Sequence, residues 1–287
     1  MKVFKEESVE VELGNLCDII NETIKNADLK EEIKGIGFGV PGTSNMDEGI
    51  IINLPNLPKW NGFNLKKFVE DRTGLDVAVN NDANVAALGE AKFGSGSSYR
   101  DIVMITLGTG VGGGVVINGK LFDGNLHQGA ELGHMVIKQG GELCGCGRRG
   151  CLEAYASATA LIRETKKAML EHPESLLTDI EKELGGIDAR NAFMASKRGD
   201  LVGISLVNSY VMDLGEGLIN YCNIFRPEAI ILSGGVANEG DYLLDKIRNY
   251  LSINTYGLKG SPKVEVVPAS LGYDSGKIGA ACLVLFK

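Results

Sequence analysis

No apolar run in these 287 residues approaches the ~18–20 residues that cross a bilayer. The opening Met1-Lys2-Val3-Phe4-Lys5 is charged and too short in apolar residues for an export leader. Lys and Arg never cluster, and the formal net charge is -8. Nucleic acids and anionic membranes need concentrated positive charge, so neither is expected as a partner. The Gly-x4-Gly-Lys-Ser/Thr pattern is absent too, which excludes a P-loop nucleotide site. The chain reads as cytoplasmic, a compartment where clustered cysteines are more often metal ligands than disulfides.

What is present suits a packed core: 44% hydrophobic and 23% charged residues, enough chain for one large domain or two medium ones. Glycine, at 39 residues, is in excess. It permits positive φ and close backbone approach, so tight turns or phosphate-hugging loops are expected.

Strand and helix patterns alternate along the chain, which predicts an α/β protein. Residues 15–24 carry apolar side chains at 16, 19, 20 and 24, a helical stripe. Residues 33–40, 49–54, 75–79, 102–107, 115–117, 229–232 and 263–267 read as strands. Residues 65–72, 84–93, 240–251 and 275–285 read as helices. Residues 153–220 read as mainly helical with a polar interruption near 172–188. The glycine-dense stretch 108–114 reads as a hairpin turn.

The sharpest pattern is His134-x9-Cys144-x-Cys146-x4-Cys151, with Gly145, Gly147 and Gly150 interleaved. Three thiolates and an imidazole suit a closed tetrahedral zinc site, and the glycines let a short loop curl around one ion. Three unrelated buried thiols are the alternative. With all four positions filled by protein, zinc is expected to be structural. It would fix the loop bearing His134 and Glu153, and the second imidazole nitrogen could donate to a substrate hydroxyl. Cys17, Cys222 and Cys282 sit in apolar patterns and are expected to be ordinary core residues.

Asn81-Asp82 falls where a strand runs into a helix. Asp82 is either a helix N-cap or a general base at a strand's carboxyl end, where α/β sheets bind ligands. Glu131 and Glu153 flank metal-ligand candidates. Two carboxylates, an amide and an imidazole converging there would suit a polyhydroxylated ligand. The 108–114 glycines, with Thr106 and Thr109, could present backbone N–H groups to a polyphosphate, or form no more than a tight turn. Gly234-Gly235 after a buried strand would let a nucleotide approach closely.

Several motifs together resemble the ROK group (repressors, open reading frames, kinases), and are most similar to its bacterial glucokinases. They are Gly39-Val40-Pro41-Gly42, Asn81-Asp82-Ala83-Asn84, residues 107–114, Gly129-Ala130-Glu131-Leu132-Gly133-His134, residues 144–153 and Ser233-Gly234-Gly235-Val236. The resemblance covers nearly the whole chain. It implies an actin-like (ribonuclease H-like) two-lobed ATPase fold: residues 1–86 with 275–287 as a smaller lobe, and 87–274 as a larger lobe with the zinc loop. It implies that Asp82 is the catalytic base and that Asn81, Asp82, Glu131, His134 and Glu153 bind a hexose with Gly42 at its edge. Thr106, Gly108, Thr109, Gly110, Gly234 and Gly235 would meet the nucleotide, ATP with Mg²⁺. The reaction implied is phosphorylation of a hexose, foremost glucose, at its 6-hydroxyl. Kinases for N-acetylhexosamines or fructose are the near alternatives. A homodimer or tetramer is also implied.

One motif of the family, Asp-x-Gly-Gly-Thr in a first phosphate-binding hairpin, occurs nowhere in the 287 residues. The expectation is an incomplete smaller lobe, from a start placed too late, and severely reduced or no ATP-dependent kinase activity for these 287 residues. A sugar-binding protein without kinase activity is the corresponding alternative. A DNA-binding repressor is not expected, because no segment remains for a helix-turn-helix.

Overall fold

In this computed structural model residues 8–27, 33–54, 57–257 and 263–286 are described. The first helix, α1 (Val9–Ala27), starts before the expected 15–24. It buries Val9, Leu13 and Cys17, a four-residue repeat that makes one stripe along a helix. Of the expected stripe only Leu16 packs on this core; Ile19 is 58% exposed, and Ile20 and Ile24 line a groove.

Strands β1 (Ile36–Val40), β2 (Thr43–Asn45) and β3 (Ile50–Asn53) follow, then α2 (Leu65–Thr73) and β4 (Val77–Asn81). Asn64 caps α2 by accepting the Lys67 amide, and Gly74 closes it in the left-handed region; the helix ends at Thr73, one residue beyond the expected 65–72. β1 pairs in parallel with β4, and β2 with β3 as a hairpin. β2 was not anticipated. Among the described residues β4 is the only strand paired with β1. Beside β1 runs an apolar groove of about 590 Å³, lined by Ile20, Ile24, Phe38, Val85 and Ala281 and opening to Asp82. The small core itself gathers Leu13, Val40, Ile51, Leu54, Leu65 and Val79 with their neighbours.

After α3 (Asp82–Phe93) come β5 (Ile102–Leu107), β6 (Val111–Ile117) and β7 (Lys120–Leu121). A helical stretch holds α4 (Glu153–Ala156), α5 (Ala158–Glu171), α6 (Leu177–Leu184), α7 (Arg190–Lys197) and α8 (Leu201–Phe225). The chain ends with β8 (Ala229–Ser233), α9 (Asp241–Asn254), β9 (Glu265–Pro268) and α10 (Ser275–Leu285). The sheet order is β7-β6-β5-β8-β9, with β5, β8 and β9 parallel. β5 and β8 are buried almost throughout, which is why they read as continuous apolar runs. The second, larger core gathers Val103, Ile105, Phe193, Tyr210, Leu214, Tyr221 and Leu232. Cys17, Cys222 and Cys282 are each 1% exposed and serve as core, as expected.

Two expectations are corrected. Only residues 108–110 form the turn; Val111 onward is strand. Gly112 and Gly114 are glycines because α3 lies against them: a Cβ on Gly114 would stand 2.5 Å from the Ala87 Cβ. The polar interruption near 172–188 contains α6, whose Leu177 and Ile180 are fully buried.

α3 also crosses α10 at two glycines. A Cβ on Gly279 would fall 1.7 Å from the Val85 carbonyl oxygen, and one on Gly89 would fall 2.5 Å from that of Ser275. A third glycine, Gly37 of β1, sits against Ala280 in the same way. α3 is therefore clamped between the five-stranded sheet and α10, with its first turn at the carboxyl ends of β4 and β5.

Candidate active site and metal centre

Asn81, not Asp82, caps α3. Its Oδ1 accepts the amides of Ala83 (2.9 Å) and Asn84 (3.3 Å), and its Nδ2 donates to the Gly42 carbonyl at 3.1 Å. One N–H of that amide is left for a ligand. Gly42 turns with φ +103, where a Cβ would meet the Asn53 carbonyl oxygen at 2.2 Å. Asp82 becomes the first helical residue, and its carboxylate accepts the adjacent Ala83 amide at 2.8 Å. The residue keeps an open face, yet the protein around it raises its carboxyl above the usual range, desolvation outweighing the amide bond.

The start of β6 gathers the other candidates. Glu153 Oε2 accepts the Val111 amide at 3.0 Å. A Cβ on Gly110 would stand 2.4 Å from that same oxygen, so the carboxylate's approach requires glycine there. Gly133, next to His134, lies so close to Val111 that a Cβ would stand 1.9 Å from its carbonyl oxygen. Gly112 lies between Thr106 Oγ1 and the Ala83 Cβ, which a Cβ there would meet at 2.6 and 3.2 Å. Residues 110–112 thus touch Glu153 directly and the neighbours of His134 and Asp82. Glu131 stands exposed just before the short turn Leu132–His134.

His134, Cys144, Cys146 and Cys151 converge as the spacing suggested, their ligand atoms all within 4.8 Å of one another. Cys146 and Cys151 sulfurs are 3.7 Å apart, and Cys144 Sγ is 3.6 Å from His134 Nδ1. A tetrahedron with ~2.3 Å metal–sulfur bonds has edges of about 3.8 Å, so the set fits one tetrahedral ion. Burial pushes the Cys144 thiol up to about 12 and raises that of Cys151, whereas the Arg148 amide lowers Cys146. Thiols crowded like this ionise together only around a cation. His134 Nδ1 faces the sulfurs, leaving Nε2 to point elsewhere. Cys144 also reaches Glu153 Oε1 at 3.4 Å, joining the metal loop to the hairpin.

The turn 108–110 is fastened from behind: Ala158 N–H donates to the Gly108 carbonyl and Thr159 Oγ1 to the Thr109 carbonyl, both at 2.8 Å. Gly234 turns with φ +89 against Leu107, whose carbonyl oxygen a Cβ would meet at 2.5 Å. Two glycine turns therefore sit side by side at the carboxyl ends of adjacent parallel strands, where open α/β sheets bind ligands. Gly234 and Gly235 line a cavity of about 180 Å³ with Ser233, Asn238 and Tyr273.

Some polar residues of the site escaped the sequence reading. Asn80 is buried and donates to Asp123 Oδ2 at 3.3 Å, while its Oδ1 accepts from Asn84 Nδ2 at 3.1 Å. His127 contacts Asp123 and Asp47. Glu90, fully buried, accepts the amides of Ser95, Ser270 and Leu271, tying the end of α3 to the loop before α10. The rarity of histidine, with 3 in the chain, was the only sequence signal for any of these.

The ROK family model matches residues 5–287, and the chain belongs to the ROK family. A glucokinase of Halalkalibacterium halodurans is 39% identical over 274 residues, 94% of this chain and 82% of the relative. A glucokinase of Thermotoga maritima is 37% identical over 290 aligned residues, 99% of this chain and 89% of the relative. A crystal structure of a ROK family glucokinase from Streptomyces griseus, in complex with glucose and AMPPNP, superposes with a TM-score of 0.77 at 35% identity. It covers 100% of this chain and 91% of that one. The architecture is the actin-like ATPase fold of the ROK sugar kinases, as expected. No helix among the described residues is long and apolar enough to cross a membrane.

Proposed function

We propose that this chain transfers the γ-phosphoryl group of ATP to the 6-hydroxyl of a hexose, with glucose as the preferred acceptor. Membership of the ROK family and glucokinase relatives at 37–39% identity support hexokinase-type phosphotransfer. The observation that carries the assignment within the site is Asp82: an uncapped carboxylate with a raised proton affinity, at a helix start packed against the glycine hairpin.

Asp82 takes the proton of the 6-hydroxyl as its oxygen attacks the γ-phosphorus, and the β–γ bridging oxygen leaves with ADP. A positioned base of this kind contributes ~10²–10⁴-fold, and a raised pKa brings it nearer the working pH. Asn81, Glu131, Glu153 and His134 Nε2 hold the other hydroxyls. The turns at 108–110 and 234–235 receive the nucleotide, and Mg²⁺ accompanying ATP offsets phosphate charge. Zinc held by His134, Cys144, Cys146 and Cys151 is structural, fixing the His134 ring and the Glu153 carboxylate. The smaller lobe is residues 1–86 with 275–287.

A second reading within the same family is hexose binding with little phosphoryl transfer. ADP release measured over glucose, fructose, N-acetylglucosamine and N-acetylmannosamine, beside calorimetry with each sugar, separates the two. Turnover highest with glucose supports the kinase assignment. Glucose binding without ADP release supports the second, and preference for an N-acetyl sugar removes glucose.

A further inference from the structure

His127 lies between two carboxylates from different parts of the fold. Its Nδ1 is 2.8 Å from Asp123 Oδ2, in the loop after β7. Its Nε2 is 3.2 Å from Asp47 Oδ1, in the turn between β2 and β3. That turn belongs to the small core's side of the molecule, and the β7 loop to the large one's.

A neutral imidazole has one N–H and one lone pair. With a carboxylate oxygen at each nitrogen, one contact would then set a lone pair against an anion. Only the imidazolium donates to both. The contact is thus a bond in one protonation state and a repulsion in the other.

The loop that carries His127 is strained. Leu126, His127 and Ala130 have φ of +55, +56 and +60, a left-handed region that non-glycine residues adopt only against steric strain. Such a loop holds its shape only when its surroundings fix it. It leads directly into Glu131 and His134. From its other end, Asp123 connects through Asn80 to Asn84, in the first turn of α3 behind Asp82.

We propose that His127 is a proton-dependent positioning residue that ties the 123–130 loop to the Asp47 turn and so closes the hexose end of the cleft. This rests on the hexose assignment above. Asp47 and Asp123 face the ring, and Lys66 of α2 holds the Asp47 backbone by donating to its carbonyl oxygen at 3.3 Å. Burial pulls the imidazole down, but its bonds to Asp123 and Asp47 outweigh that and leave it raised. A raised histidine contributes fully below its ordinary ~6.5 and loses its contribution as pH climbs through the higher folded value. The tie is therefore made below ~6.5 and released as pH rises through the higher folded value.

Asp47 is 80% exposed, so Asp47→Ala leaves the packing alone. His127→Gly removes the ring while suiting the positive φ, so the backbone turn is retained. At pH 6 each variant should bind glucose about 2- to 5-fold more weakly than wild type, the range of an exposed ion pair. The kcat should stay within about twofold. The two losses should not add in the double variant, since they break one contact. As pH rises through the folded midpoint of His127, wild type should converge on the variants. Glucose affinity at pH 6 equal to wild type in both variants would overturn the tie, as would a loss that does not vary with pH. A sugar-independent readout keeps the two ideas separable. The His127 ring, followed by NMR, should titrate above ~6.5 in wild type and lower in Asp47→Ala. If the wild-type chain binds no hexose, the functional assignment fails, and the NMR comparison alone decides: an unshifted midpoint overturns the tie, and a lowered one supports it.

Discussion

Glu153 and Val111 join the two halves of the site: one oxygen of the carboxylate accepts the first amide of β6 at 3.0 Å, while the other meets Cys144 at 3.4 Å. The metal loop and the glycine hairpin are consequently one mechanical piece. A disturbance at the thiols reaches residues 110–112, and through them the start of α3.

Asp82→Asn should lower kcat by ~10²–10⁴-fold with little change in hexose affinity, measured by coupled ADP release and calorimetry. Its thermal midpoint should equal or exceed that of wild type. The sign follows from the raised folded pKa: ionised Asp82 weighs against folding near neutrality, and protonation at lower pH relieves this. In wild type, kcat should fall as pH drops through a value above the usual ~3.9 of aspartate. A variant with wild-type turnover would remove Asp82 from the chemistry.

Cys151 is fully buried in the metal cluster. Cys151→Ser should abolish stoichiometric zinc, read by elemental analysis of the purified protein. The melting midpoint should drop by roughly 5 °C or more, as a loss of about 2 kcal/mol implies for a chain of this size. Weaker hexose binding should accompany it, because Glu153 and His134 lose their anchor. Full zinc content in this variant would show that the four side chains are not the ligands.

Two neighbouring glycines give a controlled comparison. Gly110→Ala pushes a methyl to 2.4 Å from Glu153 Oε2, whereas a Cβ on Gly108 meets nothing within 4 Å. Gly110→Ala should weaken hexose binding by displacing the Glu153 carboxylate, with little loss of stability, because the group it meets is the end of a flexible side chain. Gly108→Ala should fold like wild type and weaken ATP alone, if the turn meets phosphates. Equal hexose affinity in the two variants would break the link between hairpin and Glu153.

Glu90→Gln keeps the shape of a buried side chain but exchanges an anion that accepts three backbone amides for a neutral group. Hydrogen bonds to charged groups contribute about 1.5–3 kcal/mol. A loss of that order should appear in urea titration, with unchanged zinc content.

The metal site was legible because its ligands lie within 18 residues and share one loop, so spacing alone brings them together. The helix before Gly74 and strands β5, β8 and β9 of the large sheet were legible from local pattern. Other features depend on partners far along the chain. Gly112 and Gly114 look like a turn until α3 is seen lying on them. Asn81 and Asp82 are equally good caps by residue type, and the Gly42 carbonyl decides which one turns inward. α1 carries two candidate stripes, and the one through Val9, Leu13 and Cys17 wins because β1, β3 and α2 supply its cover. The Asp47–His127–Asp123 contact joins residues 80 positions apart, which no local pattern reports.

Where α3 and α10 cross, Gly89 and Gly279 leave no side chain between the backbones. Such a crossing sets the spacing of the two helices: a methyl group at either glycine must push them apart, because a Cβ there meets backbone at 1.7–2.5 Å. Asp82 lies seven residues from Gly89, about 10 Å along the helix axis. That length is a lever arm, on which a turn of about 6° carries the carboxylate roughly 1 Å, a displacement that can cost ~10²-fold in rate. A methyl group added at either glycine, far from any substrate, would therefore act on turnover by resetting the angle of the arm.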